Sequence, residues 1–568
     1  MIDYNLISIL EKIALILEIK GENPFKTRAY KNAAELIISE NLDLESLVKE
    51  NKLSEIPGFG DALVKKITDY YTTGKIEYYE KLKEDVPESL LELTKIALIG
   101  PRKAADLFYN HNIKNLQELE NACKNNELSK IKGFSAKSQD LILNSVEHKK
   151  AGKGRFNQEH SIQDCAAILN SLNKQDFIQQ AGFTGEYRRF TETVKDFYII
   201  VESNDFEKAS KFLISELDLL QNENIFQGKT KLGIDLTIEI CSSDNFHWRL
   251  NRTTGSEEYL NRLDKVFQEK NYTISEHSCY LSDNQIIFKN EEDIYHELDL
   301  QYIHPEIREN SEVIEKAVKN ELKPLIKLCD LKGMIHVHSN WSDGKSTIRN
   351  IALECKKMGF EYLAICDHST SARYANGLTD ERILEQFKEI DKLNEEGLGI
   401  HILKGIEADI NKDGSLDNSE NILSQFDIVI ASIHSNFNLS KKEMTKRLVY
   451  ALMSPYTTIL GHPTGRLLLV RKGYEVDMDE VIKAAADYGK AIEINSNPYR
   501  LDLSWENCLK AKEKGVKLSI NPDSHRLETL TDVFYGIRSA RKAFIEKDDV
   551  INCLDYNDFM KTIVKKSI

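Results

Sequence analysis

The sequence predicts a multidomain chain of α+β and α/β character: all-α at the N-terminus, α+β in the centre and a parallel α/β unit at the C-terminus. Three observations predict it. Amphipathic helical patterns joined by glycine turns fill roughly the first 150 residues, and apolar runs alternate with helical patterns from about 160 to 300. Beyond Met334, seven short apolar runs each stop at a metal-binding side chain, with helix-patterned segments such as IRNIALECKKMG and MDEVIKAAADYGK between them. Buried strand alternating with amphipathic helix is the pattern of a parallel sheet, and polar groups at successive strand ends fall on the carboxyl face of a barrel.

Length and composition set the limits. The 568 residues suffice for roughly three or four cores. No apolar run approaches the roughly 20 residues of a membrane span, so no membrane partner is expected. The opening MIDYNLISILEKIALILEIKG lacks the basic-then-apolar order of a secretory signal, which points to the cytoplasm. Nine cysteines, an odd number without a CxxC pair, read as buried small hydrophobes in a reducing compartment. A net charge of −15 argues against a polyanionic partner. Its distribution still allows one, because carboxylates around metals are neutralised by those cations and backbone NH groups bind phosphate without formal charge.

Residues 1–85 read as short helices ending in LSEIPGFGDALVKKITDYYTTGK. There Gly58 and Gly60 make a tight turn that aims NH groups and a helix N-terminus outward, with Lys65 on the following helix as a DNA-backbone contact. Looser copies at Ile96–Lys103 and Ile131–Lys137, in a second segment 86–150, give the spacing of helix-hairpin-helix modules. The second copy lacks the first glycine and the third lacks the second, so these two are read as structural hairpins.

The segment GENPFKTRAYKNAAELI followed by IPGFGDALVKKI resembles the N-terminal domain of family X DNA polymerases. In some members that domain removes 5′-deoxyribose phosphate through a lysine Schiff base, and Lys66 matches the nucleophile. Such a lysine needs a pKa lowered by burial or cations, and Lys65 is adjacent. The other reading of Lys66 is a solvated residue on a DNA-facing helix. After the polar linker HKKAGKGRFNQEHS, residues 160–312 resemble the same family's nucleotidyltransferase palm and thumb. The resemblance implies a glycine-serine turn for the triphosphate and three carboxylates around two metals. Asp196 and Asp235 match two of them, but Tyr198 stands where the second aspartate belongs, Glu186 replaces the serine and Lys195 the glycine before Asp196. A missing bridging carboxylate and an anion facing the triphosphate predict a degenerate polymerase site.

The seven C-terminal runs, over residues 330–568, carry His336, His338 and Asp343; Asp367 and His368; Glu407 and Asp409; His434; His462; Glu493; and Asp523 and His525. In His336-Val337-His338, strand alternation is expected to point both imidazoles to one side. Mixed imidazoles and carboxylates suit Mn, Fe or Zn. The set resembles the PHP (polymerase and histidinol phosphatase) domain, which implies a distorted (β/α)7 barrel. That resemblance implies three divalent metals, Mn2+ first and Zn2+ or Fe2+ as alternatives. His336, His338, Glu407 and Asp523 would hold one; Glu407 would bridge to a second on His434 and His462; Asp343, His368 and His525 would hold the third. Asp409 and Glu493 match no ligand position. Arg466, directly after the His462 turn, is the candidate phosphate grip ahead of Arg373 and Arg526.

Together these readings predict a monomeric, bacterial family X polymerase homologue working as a metal-dependent 3′-to-5′ DNA exonuclease. Its expected substrates are gapped, primer-template or single-stranded 3′ ends, with abasic-site processing in base-excision repair. The 3′ polarity comes from the resemblance alone. An active repair polymerase and a small-molecule phosphatase of the histidinol-phosphatase type are the rival readings.

Overall fold

The computed structural model describes residues 4–39, 44–56, 58–94, 96, 98–151 and 154–563. Pro57 and Ala97 of the first two glycine turns, and residues 152 and 153 of the linker, lie outside the described residues. The chain divides into two compact units, residues 1–153 with 470–472, and 154–469 with 473–568.

The first unit is helical. Its opening helix, Tyr4–Ile19, buries Leu6, Leu10, Ile13 and Leu17 completely, because those positions recur at helical spacing and make one apolar face. The three glycine turns share one geometry. Gly58, Leu98 and Gly133 all take positive φ, at 97°, 65° and 95°. In each turn the residue after it hydrogen-bonds back three positions: Phe59 to Ile56, Ile99 to Ile96 and Phe134 to Ile131, each at 3.1 Å. Gly60 and Gly100 then cap the helices Asp61–Thr73 and Pro101–Asn110. The second hairpin therefore forms without its first glycine, with Leu98 in a left-handed conformation that disfavours any side chain by roughly 1–2 kcal/mol.

The second unit begins with a five-stranded sheet in the order Ile178–Phe183, Asp196–Ser203, Asp235–Cys241, Ile225–Lys229, Leu220–Asn222. Alternation along Asp196–Ser203 sends Phe197, Ile199 and Val201 into the core and leaves Asp196 and Tyr198 on the other face. The neighbouring strand runs parallel, with Asp235 paired to Asp196. Helices Ser243–Thr254 and Glu257–Glu269 pack Trp248, Tyr259 and Phe267 into a separate core.

The barrel follows. Its seven strands are parallel and in chain order: Gly333–Val337, Tyr362–Ile365, His401–Asp409, Ile428–Ser432, Ile459–Leu460, Ala491–Asn495 and Leu518–Asn521. A parallel bridge between Val337 and Ser524 joins the last strand's end to the first. Every strand residue but His401 and Lys404 is buried, the signature of a parallel sheet covered on both faces. The carboxyl ends of the strands thus gather on one face, and the site is built there.

Candidate metal centre

Each histidine named in the sequence arrives at that face by a local device. The alternation expected of His336-Val337-His338 is not regular. The pairing register shifts between Met334 and Val337, and His336 has φ of 63°. This bulge, not the strand pleat, turns both imidazoles inward, with ring centres 5.3 Å apart. His462 and Asp523 also have positive φ, 23° and 52°. Strain concentrated at three candidate ligands is what a functional cluster held by its surroundings shows.

Donor atoms fall into three groups whose members lie within 4.8 Å of one another: His336, His338 and Glu407; His368, Glu407 and His434; and His338, Asp343, His368 and His525. In the first group, His336 Nε2 lies 3.4 Å from Glu407 Oε1; Asp523, expected to join it, stands outside the three groups, with Oδ1 3.2 Å from His338 Nε2. In the second, His434 Nε2 lies 3.3 Å from Glu407 Oε1. In the third, His525 Nε2 lies 3.4 Å and His368 Nε2 3.7 Å from Asp343 Oδ1. Two ligands on one tetrahedral ion at ordinary bond lengths stand about 3.4 Å apart. The grouping differs in part from the expected one. His368 turns Nδ1 toward Glu407 as well as Nε2 toward Asp343, and His462 stands outside the groups, its Nε2 hydrogen-bonded to Glu407 at 2.8 Å.

The donor set fits cations on a further ground. His336 Nε2, both ring nitrogens of His338, His368 Nδ1, Glu407 Oε2 and His462 Nδ1 are buried and have no hydrogen-bond partner. Leaving one such group unsatisfied costs roughly 1–3 kcal/mol, so converging orphans call for a shared ligand. Burial opposes ionisation of Glu407, yet His434, His368 and His336 hold it well below the usual carboxylate range. Burial, then His525 and His368, push His338 down to about 3. Against burial, Glu493, Asp523 and Glu407 raise His336, and Glu407 with Asp409 raises His434 to about 10, so a cation held at those two rings takes the place of a proton.

Asp409 and Glu493 orient the ligands. Glu493 accepts from His336 Nδ1 at 2.5 Å and from the His462 backbone NH at 2.7 Å, while Asp409 takes His434 Nδ1. Each bond leaves the opposite ring nitrogen facing the cluster. Asp367 is tied instead to Ser339, Ser342 and Gln386.

Arg466 is a correction. Its guanidinium is bound bidentately by Glu192, at 2.6 and 3.1 Å, and donates to the carbonyls of Arg500 and Leu501. With its donors so engaged, it joins barrel to palm and has no fork left for a phosphate. The cation that does stand at the cluster is Arg500, with Nε 3.7 Å from Asp523 Oδ2. Sequence reasoning missed it because NPYR carries no motif.

In the palm, Asp196 and Asp235 are register partners, but Lys229 pairs with Asp235. The Tyr198 hydroxyl donates to Glu239 at 2.8 Å, and Glu239 is buried against Arg249 by two 2.7 Å hydrogen bonds. Glu186 accepts from Arg155 at 2.8 Å and from the Lys195 backbone NH at 3.1 Å. Arg188, on the expected triphosphate turn, is bound by Glu291. Among the described residues no metal-holding group forms here.

In the helical unit Lys65 is exposed. Lys66 donates to the Ala62 carbonyl at 3.0 Å and lies 5.0 Å from the centre of the Tyr78 ring. Burial, then Lys26, lowers its pKa, with Lys65 the smaller neighbour.

Fold and site together define a phosphate-ester enzyme whose helical and polymerase-like segments are suited to DNA. Residues 4–76 match the helix-hairpin-helix domain and 90–146 the SAM-like helix-hairpin-helix tandem. Residues 249–309 match the DNA polymerase beta thumb and 335–497 the PHP domain. The chain is 36% identical over 565 residues to the DNA polymerase/3′-5′ exonuclease PolX of Bacillus subtilis (strain 168), covering 98% of each protein. It belongs to the bacterial PolX-type family X DNA polymerases that carry a PHP domain. Probable phosphatases of Thermoanaerobacter sp. (strain X514) and Shewanella sp. (strain ANA-3) are 35% and 33% identical. Each match covers 36% of this chain, and 84% and 81% of those proteins respectively.

Proposed function

We propose that this chain is a metal-dependent 3′-to-5′ DNA exonuclease whose polymerase centre has lost its activity. The observation that carries the reading is the convergence of buried, unpartnered imidazole and carboxylate atoms at the barrel's carboxyl face. His336, His338, His368, Glu407, His434, His462 and Asp523 would hold divalent cations on the buried side, and Asp343 and His525 on the side open to solvent. Bound cations of this kind supply an activated water at neutral pH and offset charge on the phosphate oxygens.

The chain's own residues do the rest. Asp343 and His525, about one-third exposed, face the side from which a strand end enters. Arg500, with Nε 3.7 Å from Asp523 Oδ2, is placed to grip the phosphate. Glu493 and Asp409 keep the ligand rings in one orientation. Loss of polymerase activity is supported by Tyr198 in an aspartate's place and by Lys229 on Asp235. We further assign residues 1–85 to DNA backbone binding, 86–150 to a fingers-like helix-hairpin-helix region whose hairpins are structural, 160–312 to positioning DNA and 330–568 to hydrolysis, in a cytoplasmic protein. Lys66, with its lowered pKa, supports abasic-site processing in base-excision repair; borohydride trapping on a 5′-deoxyribose phosphate end, lost in Lys66→Ala, tests it.

The central test uses Mn2+ and a 5′-labelled primer on a longer template, with and without deoxynucleotides, beside His338→Ala. A ladder of shortened products, reduced on the order of a thousandfold in the variant and with no extension, is expected. Extension abolished by Asp235→Ala would instead establish a working polymerase. Hydrolysis of small phosphate monoesters without any DNA ladder would favour the phosphatase reading, whose named relatives match 36% of this chain.

A further inference from the structure

A tyrosine stands exposed at the mouth of the cluster, and nothing in the proposed hydrolysis uses it. Tyr374 is 72% exposed, with its ring centre 6.1 Å from that of His368 and 6.3 Å from that of His434. It sits in the single turn Arg373–Ala375, between Ala372 and Ala375, which are both buried. The loop around it is held firmly. Asp417 accepts from the Ser369 hydroxyl at 2.8 Å and the Ser371 NH at 2.9 Å, and Asn376 reaches the Trp341 carbonyl at 3.1 Å. Gly377 comes so close to the Ser369 carbonyl that an added Cβ would lie 1.9 Å from its oxygen. The ring is thus presented to solvent by a fixed loop, with its apolar face uncovered beside two candidate ligands.

We propose that Tyr374 is a stacking platform for the base of the nucleotide whose phosphodiester lies in the cluster. The proposal rests on the nuclease reading of that cluster. An aromatic face accepts any base, which suits sequence-independent trimming, and such stacking contributes about 1–3 kcal/mol per base. A base still paired and stacked in a duplex cannot lie on the ring until it is pulled out at a cost of a few kcal/mol, least for a mismatch. Arg500 at Asp523 offers the phosphate a cation while Tyr374, beside His368 and His434, offers the base a surface.

The test uses the full chain with Mn2+, as wild type, Tyr374→Ala and Tyr374→Phe. Binding is read with an oligonucleotide carrying 2-aminopurine at its 3′ end behind a phosphorothioate linkage. Its fluorescence should be quenched by wild type and Tyr374→Phe and not by Tyr374→Ala. Cleavage is read on three substrates: an ordinary single-stranded 3′ end, the same end with an abasic last nucleotide, and bis(p-nitrophenyl) phosphate. Tyr374→Ala should lose roughly ten- to a hundredfold in kcat/KM on the first and less than about twofold on the other two. Equal losses on all three would mean that Tyr374 only supports the loop, and no loss on the first, or unchanged quenching in Tyr374→Ala, would equally overturn the proposal. If wild type hydrolyses bis(p-nitrophenyl) phosphate but not DNA, the nuclease reading fails alone, and the quenching decides whether Tyr374 stacks a base.

Discussion

The barrel and the palm each gather carboxylates at strand ends, yet their charges meet opposite fates. In the barrel, Glu407 is surrounded by imidazoles that stay available, and several of its neighbours' ring nitrogens have no partner. In the palm, Glu239 is closed off by Arg249 and Tyr198, while Asp235 carries only a solvent-exposed ion pair with Lys229. A cluster whose polar atoms satisfy one another is a structural ion-pair network, whereas one whose buried atoms remain unsatisfied awaits a ligand. The count of acidic residues does not separate the two regions; the identity of the neighbours does.

The largest expected effect that would break this contrast is at Glu239. Glu239→Ala leaves the Arg249 guanidinium, 2% exposed, without its buried carboxylate, and removing one partner of such a pair costs about 3–5 kcal/mol. Urea unfolding should show that loss, while Mn2+-dependent hydrolysis at folding-permissive temperature stays within about twofold of wild type. A stable Glu239→Ala protein with impaired hydrolysis would mean that the palm carboxylates share in the chemistry.

A second, somewhat smaller effect appears with pH. Glu291 is buried between Arg308 and Arg188; burial opposes its ionisation, but the two cations depress its pKa to about 2. A carboxyl depressed in the folded state contributes stability above its unfolded pKa of about 4.5 and loses it as pH falls through about 2. The contribution is on the order of 3 kcal/mol at neutral pH. The difference in urea midpoint between wild type and Glu291→Gln should therefore be full above about pH 5 and shrink steadily toward pH 2. A difference independent of pH would show that packing, not charge, holds this junction.

These contrasts were unequally legible in the sequence. The convergence of the barrel's candidate ligands was readable because each sits in or soon after a short apolar run, and strand ends of a parallel barrel converge whatever their separation along the chain. The palm's departures at Tyr198 and Glu186 were readable as single letters. Their consequences were not, since Arg249 and Lys229 become partners only once the strands are in register. Arg466 looked like a phosphate grip for its nearness to His462, but its partner Glu192 lies 274 residues away, and no local pattern reports such a pairing. Leu98 in a left-handed turn and His336 in a bulge are conformations that the surrounding packing imposes against local preference.

The smallest effect sharpens the contrast from the barrel side, at a carboxylate that touches its ligands without facing the cluster. Glu493 accepts from His336 Nδ1, the His462 NH and Asn521, so it fixes a ring, a backbone turn and a neighbouring strand at once. Glu493→Gln keeps the shape and an acceptor oxygen but removes the charge that holds the His336 proton on Nδ1. Replacing such a partner lowers metal affinity or activity about 10- to 100-fold. Mn2+ titration by calorimetry should show the weaker binding while the circular dichroism of the barrel is unchanged. The palm offers the matched control: Glu239→Gln also removes one negative charge beside a buried cation, and it should leave Mn2+ affinity where it was, because its carboxylate answers to Arg249 and His277 and to no residue of the barrel cluster. If both variants weakened Mn2+ binding alike, long-range charge rather than ring orientation would be setting the affinity, and the distinction between a satisfied cluster and a waiting one would fall with it.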